Sequence, residues 1–292
     1  MLLVEKDKYG IVLSIMIKTG INFIKQEFDQ FVMFSKVEWQ KVLTWRVSVF
    51  VYRISEVLET SILVSMWIFI FAQGSGLIKG YTMNEMVTYV LIGGLCTGFT
   101  RNFIHGSISR DIEKGDLSLF LVKPVSYIKF NIYSEFGGLI LTFCVSLVSQ
   151  IFVIFLFADK FIMNKDFWTL LLLFVMLIFA FFIEILIGLL VGLVAFWTDE
   201  VNGVQNLMFI IKKFFAGVYF PLSLLPASLT FIGFYLPFAY SFFVPAQLYL
   251  GKIDANIAIK GLGIQLVWII ILSFIVRFVW TKGLKRYEAV GS

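Results

Sequence analysis

One long apolar stretch restricts the fold of this chain more than any other feature. Residues 167–197 carry a single charge, on Glu184. As one α-helix they would measure about 46 Å, against about 30 Å for the hydrocarbon core of a bilayer. A helix satisfies its backbone hydrogen bonds internally, as lipid requires. The stretch therefore predicts a membrane span that tilts, projects from the bilayer or ends early.

The composition extends this prediction to the whole chain of 292 residues. Hydrophobic residues make up 60% of it and charged residues 15%, whereas about 25% of a soluble domain is charged. So few polar side chains cannot cover the surface of a soluble globule. A soluble enzyme, a disordered chain, a disulfide scaffold and a collagen-like rod are excluded. The predicted fold class is an all-α polytopic membrane protein.

Six membrane spans are predicted from the apolar runs. The second begins with a capping box, in which Thr82 and Glu85 bond each other's backbone amides. The predicted spans are residues 49–73, 82–103, 133–157, 167–197, 204–220 and 259–281. They form a transmembrane domain over residues 47–282, with a cytoplasmic tail at 283–292.

The N-terminal region, residues 1–46, alternates apolar and charged positions. Phe28, Phe31 and Trp39 are interleaved with residues such as Glu27 and Lys36. This pattern is typical of an amphipathic helix at the membrane interface, where tryptophan rings sit at headgroup depth. The region is predicted to be an extension followed by such a helix.

Residues 221–254 are apolar but contain four of the five prolines: Pro221, Pro226, Pro237 and Pro245. Proline removes a backbone donor and clashes with the preceding turn of a helix. The segment is therefore predicted to form short helices that dip into the membrane and return, on the extracellular side before the last span.

The distribution of basic residues predicts the orientation. With six spans and both termini inside, 19 Lys and Arg residues lie on the cytoplasmic side and five lie outside. The five outside are Lys79, Lys160, Lys165, Lys252 and Lys260. This bias follows the positive-inside rule and accounts for the net charge of +5 without a nucleic-acid partner.

The connector at residues 106–129 is the strongest candidate for a partner contact. Ile108 and Ile112 are four apart and share a helix face, and Gly115 is placed to end the helix in the left-handed conformation. An apolar ridge with a charged rim suits insertion into a cleft of a soluble partner. The charged rim consists of Arg110, Asp111, Glu113 and Lys114. The alternative interpretation of the connector is an ordinary solvated loop helix.

Charged residues inside the spans are costly and normally face protein or water. Glu184 is expected to bond another helix, with a role in substrate contact or proton coupling as the alternative. Arg53, Glu56 and Glu59 form either an internal ion-pair strip or a cytoplasmic gate. The fifth span carries a group of basic and aromatic residues, Lys212, Lys213, Phe214 and Phe215. These residues either anchor the span by the positive-inside rule or attract an anionic headgroup.

No cofactor chemistry is apparent in the sequence. The two cysteines, Cys96 and Cys144, lie in apolar runs, and His105 is the single histidine, so neither a metal nor a disulfide is predicted. The glycine-rich residues 74–80 have the wrong spacing for a phosphate loop. The chain is therefore not predicted to hydrolyse ATP.

Several segments together resemble the membrane subunits of type-2 ATP-binding-cassette (ABC) exporters of the drug, lipid and polysaccharide class. The connector at 108–124 is similar to that family's stretch after the second span. The proline-containing pieces are similar to its extracellular re-entrant unit, and the tail Trp280–Tyr287 is similar to its basic ending. The resemblance covers residues 36–291, leaving residues 1–35 without a family role.

This resemblance implies a permease subunit that forms half of an export pathway, with the first and fifth spans along the path. It implies a separate ATPase subunit, which would hold ATP and Mg, a second permease chain, identical or related, and a prokaryotic inner membrane. Two alternatives stay open from the residues: an ATP-independent secondary transporter, which would show internal repeats, and a non-transporting scaffold or sensor. The cargo is not predicted.

Overall fold

The computed structural model describes residues 25–44, 46–74, 76–198 and 201–290. Within these residues the chain is helical and forms no β-strand, apart from an isolated bridge between Ile78 and Tyr81. The part of the predicted N-terminal extension before residue 25 lies outside the described residues.

Eleven α-helices follow one another along the described chain, with short 3-10 segments at Val194–Phe196 and within residues 221–254. Helix α1 covers residues 25–44. The others are α2 Arg46–Ala72, α3 Met83–Thr100, α4 Ile104–Glu113, α5 Leu117–Leu121, α6 Tyr127–Leu156, α7 Phe167–Leu193, α8 Val201–Ala216, α9 Ala227–Tyr235, α10 Phe243–Tyr249 and α11 Ala255–Val290.

Four helices in the described residues are long and apolar enough to cross a membrane. They are Val47–Ala72, Tyr127–Leu156, Phe167–Phe196 and Ala255–Tyr287. Together with the all-helical architecture, they agree with the predicted polytopic α-helical membrane protein. The remaining two predicted spans correspond to α3 and α8, which have 18 and 16 residues.

Helix boundaries follow local signals. Thr82 and Glu85 form the predicted capping box at the start of α3. Gly217, with a φ of 77°, ends α8 four residues before the predicted end of that span. Helix α11 is longer than predicted: it continues past residue 281 because the basic tail consists mostly of good helix formers.

Helix α3 and the second half of α7 form the centre of the molecule. Thirteen of the 18 residues of α3 are buried. Glycines allow close approach there: a Cβ on Gly94 would lie 2.7 Å from the side chain of Gln150 on α6, and one on Gly192 would lie 2.8 Å from Ile108 on α4. Gly188 and Gly192 are four apart on α7, and small residues at this spacing commonly let helices pack closely in membranes.

The predicted interfacial helix α1 packs against the first half of α6. The indole of Trp39 donates to the carbonyl of Gly137 at 2.6 Å, and Glu27 accepts from Lys129 and Tyr133. These bonds lower the pKa of Glu27, chiefly through Lys129 and then Tyr133. Helix α1 is therefore attached to the protein by polar contacts as well as by any contact with lipid.

The connecting segments gather at two ends of the molecule. At one end, Lys79 donates to the carbonyl of Leu224, and Asn164 bonds Tyr249, so the loops after α2 and α6 meet the proline segment. At the other end the connector meets the starts and ends of other helices: Tyr127 donates to Asp111 and stacks on Trp280. The loops after α2 and α6 and residues 221–254, all predicted to lie outside, are at the end where Lys79 meets Leu224.

Candidate functional site

A cavity of about 450 Å³ lies among α2, α3, α4, α7 and α8. Its walls include charged residues from α2, α7 and α8 that lie far apart in the sequence. Because charges are expensive inside a membrane domain, a cluster of them around a cavity is a candidate functional site. The predicted residues that line it are Glu56, Glu59, Glu184, Lys212 and Lys213.

Glu56 is the most fully bonded charge of the group. Its Oε2 accepts from Nη1 of Arg53 at 2.5 Å, and its Oε1 accepts from Ser146 at 2.9 Å and Gln150 at 3.2 Å. Both members of the Arg53–Glu56 pair are buried. The pair therefore ties α2 to α6, which fits the interpretation of an internal ion-pair strip.

The two adjacent lysines of α8 bond two different helices. Nζ of Lys212 lies 2.7 Å from Oε2 of Glu184 on α7, and Lys213 pairs with Glu59 on α2. Glu184 is therefore bonded to another helix, as expected. Only Val201 and Ala216 of α8 are buried. Few apolar residues of α8 are thus fully buried, and these ion pairs join it to α2 and α7.

The end of the cavity near the connector carries Arg101, Asn102 and His105. Burial, and then the charge of Lys212, lower the pKa of His105, so this imidazole is neutral at pH 7. The rings of Tyr52 and Phe103 lie 5.5 Å apart at this end, and both are exposed. Polar groups and exposed aromatic rings therefore surround one mouth of the cavity.

The opposite end of the cavity is mainly apolar. Val218 and Phe242 close it beside Leu63 and Val90. On α8, Gln205 lies at the end of the cavity near the connector and Ala216 lies at the apolar end. The two residues are eleven positions apart, which is about 16 Å along the helix. The cavity therefore runs from a polar mouth that holds Arg101, past the ion pairs of Lys212 and Lys213, to an apolar end.

Three of the predicted pathway residues, Arg53, Phe214 and Phe215, do not line this cavity. Phe214 packs edge-on against Phe215 and Phe220 instead. The sequence did not distinguish Arg101 and His105 as cavity residues. Both lie just beyond the end of α3, and nothing in the spacing distinguishes them from the other charges of a cytoplasmic connector.

The structure corrects the predicted role of Ile108 and Ile112. Their side chains are 0% and 7% exposed, and Ile108 packs against Gly192 of α7. The prediction that these two residues present a ridge to a partner is therefore wrong, because the ridge is used inside the chain. The shared helix face was predicted correctly, and Gly115 ends the segment with a φ of 80°.

The exposed surface of the connector is its other face and the helix that follows. Arg110, Glu113 and Lys114 are exposed on and just after α4. On and after α5, Leu119 is 61% exposed and Val122 is 84% exposed. Asp111 is only half-exposed and accepts from Tyr127, which attaches the connector to α6.

Each proline of the segment 221–254 stands at or near the start of a short helix. Pro221 and Pro226 directly precede a 3-10 turn and α9, Pro237 begins a 3-10 helix, and Pro245 lies in the first turn of α10. These are the positions at which the missing amide costs least. The segment is thus divided into short pieces, and two of its residues, Ser241 and Phe242, reach the cavity.

The fold and the site define a multi-pass helical membrane protein with a charged internal cavity. In the part of the chain that the structure describes, no three His, Cys, Asp or Glu residues are placed to hold a metal ion. The family model of the ABC-2 family transporter proteins matches residues 57–291, so the chain belongs to that family and is a permease-type membrane protein of an ABC transporter. This confirms the resemblance noted in the sequence. No curated protein matches the chain significantly.

Proposed function

We propose that this chain is the transmembrane subunit of an ATP-driven exporter, forms half of its substrate pathway and couples to a separate ATPase subunit. One observation supports coupling to a partner in addition to family membership. Helix α4 lines the cavity with His105 and exposes Arg110, Glu113 and Lys114 on its surface. A partner bound to that surface would act on a helix that is part of the cavity wall.

The docking surface in this proposal is the exposed rim of α4 together with α5. Leu119 and Val122 supply apolar contact, and the charged rim of α4 supplies orientation. Since Ile104 and Ile108 pack on Gly188 and Gly192, a push on the rim moves α4 and α7 together. Glu184 lies one turn before Gly188 on α7, so the movement reaches the ion pair with Lys212.

Six membrane crossings form part of the proposal. Helix α3 begins at the end of the molecule where Lys79 and Leu224 meet and ends beside the connector. Helix α8 starts near the connector and leads back to the proline segment. Their lengths of 18 and 16 residues correspond to about 27 and 24 Å, close to the thickness of a bilayer core. In this arrangement both termini are cytoplasmic.

ATP and Mg belong on the partner in this scheme, and the chain itself hydrolyses no ATP. A second permease chain, identical or related, would complete the pathway, as symmetric pairing is common among oligomeric proteins. The complex would reside in a prokaryotic inner membrane.

The proposal is tested by isolating the full chain in mild detergent with whatever binds it. We expect an ATPase to co-purify and to support ATP-dependent flux in proteoliposomes. Leu119→Asp with Val122→Asp should reduce the recovered ATPase several-fold. Leu77→Asp is the matched control, because Leu77 is 60% exposed at the opposite end of the molecule. A flux that persists without ATP, or a wild-type chain that retains no ATPase, would contradict the proposal.

A further inference from the structure

The charges around the cavity do not balance. Each of its three carboxylates has a cationic partner: Arg53 for Glu56, Lys213 for Glu59 and Lys212 for Glu184. These three pairs use every carboxylate that lines the cavity. Arg101 lines the cavity as well, and its side chain has no ion pair or hydrogen bond within the described residues.

The surroundings of Arg101 are electropositive. Arg101 and Arg53 lie close enough to repel each other. Nε of Arg53 is buried and has no hydrogen-bond partner. A half-buried cation without a partner favours an anion over a cation by Coulomb attraction.

The far end of the cavity suits an apolar group. From the end that holds Arg101, the cavity extends about 16 Å to walls formed by Leu63, Val90, Val218 and Phe242. A volume of about 450 Å³ lies in the range of sites for small organic ligands. The fit is to a molecule with one charged end and one compact apolar body. A two-chain phospholipid would not fit wholly inside this volume.

We propose that the cavity binds a small amphipathic anion, whose acidic group pairs with Arg101 and whose apolar body lies toward Phe242. The exposed rings of Tyr52 and Phe103 flank the charged mouth and provide an apolar entry. Such an anion would also compete with Glu184 for Lys212. This inference rests on the proposed function only in treating the ligand as transported cargo, and binding itself needs no ATPase.

Two fluorescent probes with one skeleton test the proposal. Anilinonaphthalene sulfonate carries an acidic group, and N-phenylnaphthylamine is the same aromatic body without it. Binding of each is measured to the full chain in zwitterionic nanodiscs, after subtraction of empty nanodiscs. We expect saturable binding of the sulfonate that weakens about tenfold in Arg101→Gln, because a hydrogen bond to a charged group is lost. Binding of the uncharged probe should not change in this variant.

Matched variants separate charge from folding. Arg101→Lys keeps the cation and should stay within about threefold of wild type. Arg286→Gln removes an exposed arginine of α11 and should behave as wild type. Equal binding of the two probes, no effect of Arg101→Gln, or tighter binding of the cationic dye rhodamine 6G would overturn the proposal. Displacement of the sulfonate by phosphatidylglycerol in the nanodisc would assign the site to membrane lipid and would also overturn it.

The probe-binding test and the ATPase co-purification test can fail separately. If the sulfonate fails to bind while an ATPase still co-purifies with the chain, the ligand class is wrong and the exporter assignment stands. If Arg101-dependent binding is found and no ATPase is recovered, the cavity assignment stands and the exporter assignment fails.

Discussion

At the scale of single residues, the bonds of Glu56 predict a large effect from a small change. Glu56→Gln should destabilise the protein by about 3 kcal/mol, because the buried Arg53 would lose its counter-charge and face an amide donor. The melting temperature of the purified chain in detergent measures this. Adding Arg53→Met to Glu56→Gln should recover part of the loss, since the uncompensated charge is then removed.

Lys41→Gln provides the control for this prediction. Lys41 pairs with Glu38, but its side chain is half exposed, so the melting temperature should hardly change. If Glu56→Gln has as small an effect as Lys41→Gln, water reaches the pair and the structural interpretation of Glu56 is wrong.

The sequence pointed to charges that line the cavity, but it did not show how they pair. Intramembrane charges are conspicuous in an apolar chain, so Glu184, Glu56 and Lys212 were identified from the cost of burial alone. Their partners come from helices that are distant in the sequence, and no local pattern reports that distance. Arg101 was missed because, at the end of a span, an unpaired cation and an anchoring cation have the same sequence signal.

At the scale of helices, the contact between α4 and α7 predicts that Gly192 tolerates no side chain. A Cβ there would lie 2.8 Å from Ile108 and 2.9 Å from the carbonyl of His105, which is backbone and cannot move freely. Gly192→Ala should therefore cost about 1–3 kcal/mol, measured as a lower melting temperature. It should also reduce any stimulation of the ATPase by the permease.

The control is a glycine in an open part of a helix. A Cβ on Gly263 of α11 meets nothing within 4 Å, so Gly263→Ala should be neutral or stabilise by about 0.5–1 kcal/mol. Equal effects of the two substitutions would show that α4 does not pack closely on α7. This contact also explains why the connector was misread: a spacing of four residues places Ile108 and Ile112 on one face but does not say what that face meets.

The start of α7 predicts a pH-dependent stability. Asp166 caps the helix by accepting from the amide of Thr169 at 2.8 Å. Bonds from the Thr169 hydroxyl and then its amide lower the pKa of Asp166. Because the folded pKa lies below the unfolded one, the stabilisation is present above about pH 4 and is lost as the pH falls through the folded value. Asp166→Ala should thus lower the melting temperature at pH 7, and the difference should vanish in acid.

Asp166→Asn is the comparison that separates capping from charge. An asparagine can still accept from the amide of Thr169, so this variant should melt above Asp166→Ala at pH 7 and should show little dependence on pH. A wild-type advantage that persists below the folded pKa would contradict the assignment of the effect to the ionised cap.

At the scale of the whole molecule, hydropathy anticipated most of the helical architecture because it reports directly on a bilayer. The apolar runs located the helices, and the prolines located the broken segment. What they could not supply is the packing, since lipid-facing and protein-facing apolar residues look alike in sequence. The sequence predicted Lys79, Lys165 and Lys252 on one side and the connector and tail on the other, and the fold groups them at two ends of the molecule through contacts such as that of Lys252 with Gly80.

That grouping predicts which positions a reagent reaches from each side of the membrane. In a background with Cys96 and Cys144 replaced by alanine, Lys165→Cys should react in intact cells with a membrane-impermeant maleimide, since it is exposed in the loop before α7. Lys285→Cys, exposed on the last turns of α11, should react only after permeabilisation. The cysteine-free parent should not react under either condition. Labelling of Lys285→Cys in intact cells would invert the topology and place the connector on the wrong side for an ATPase.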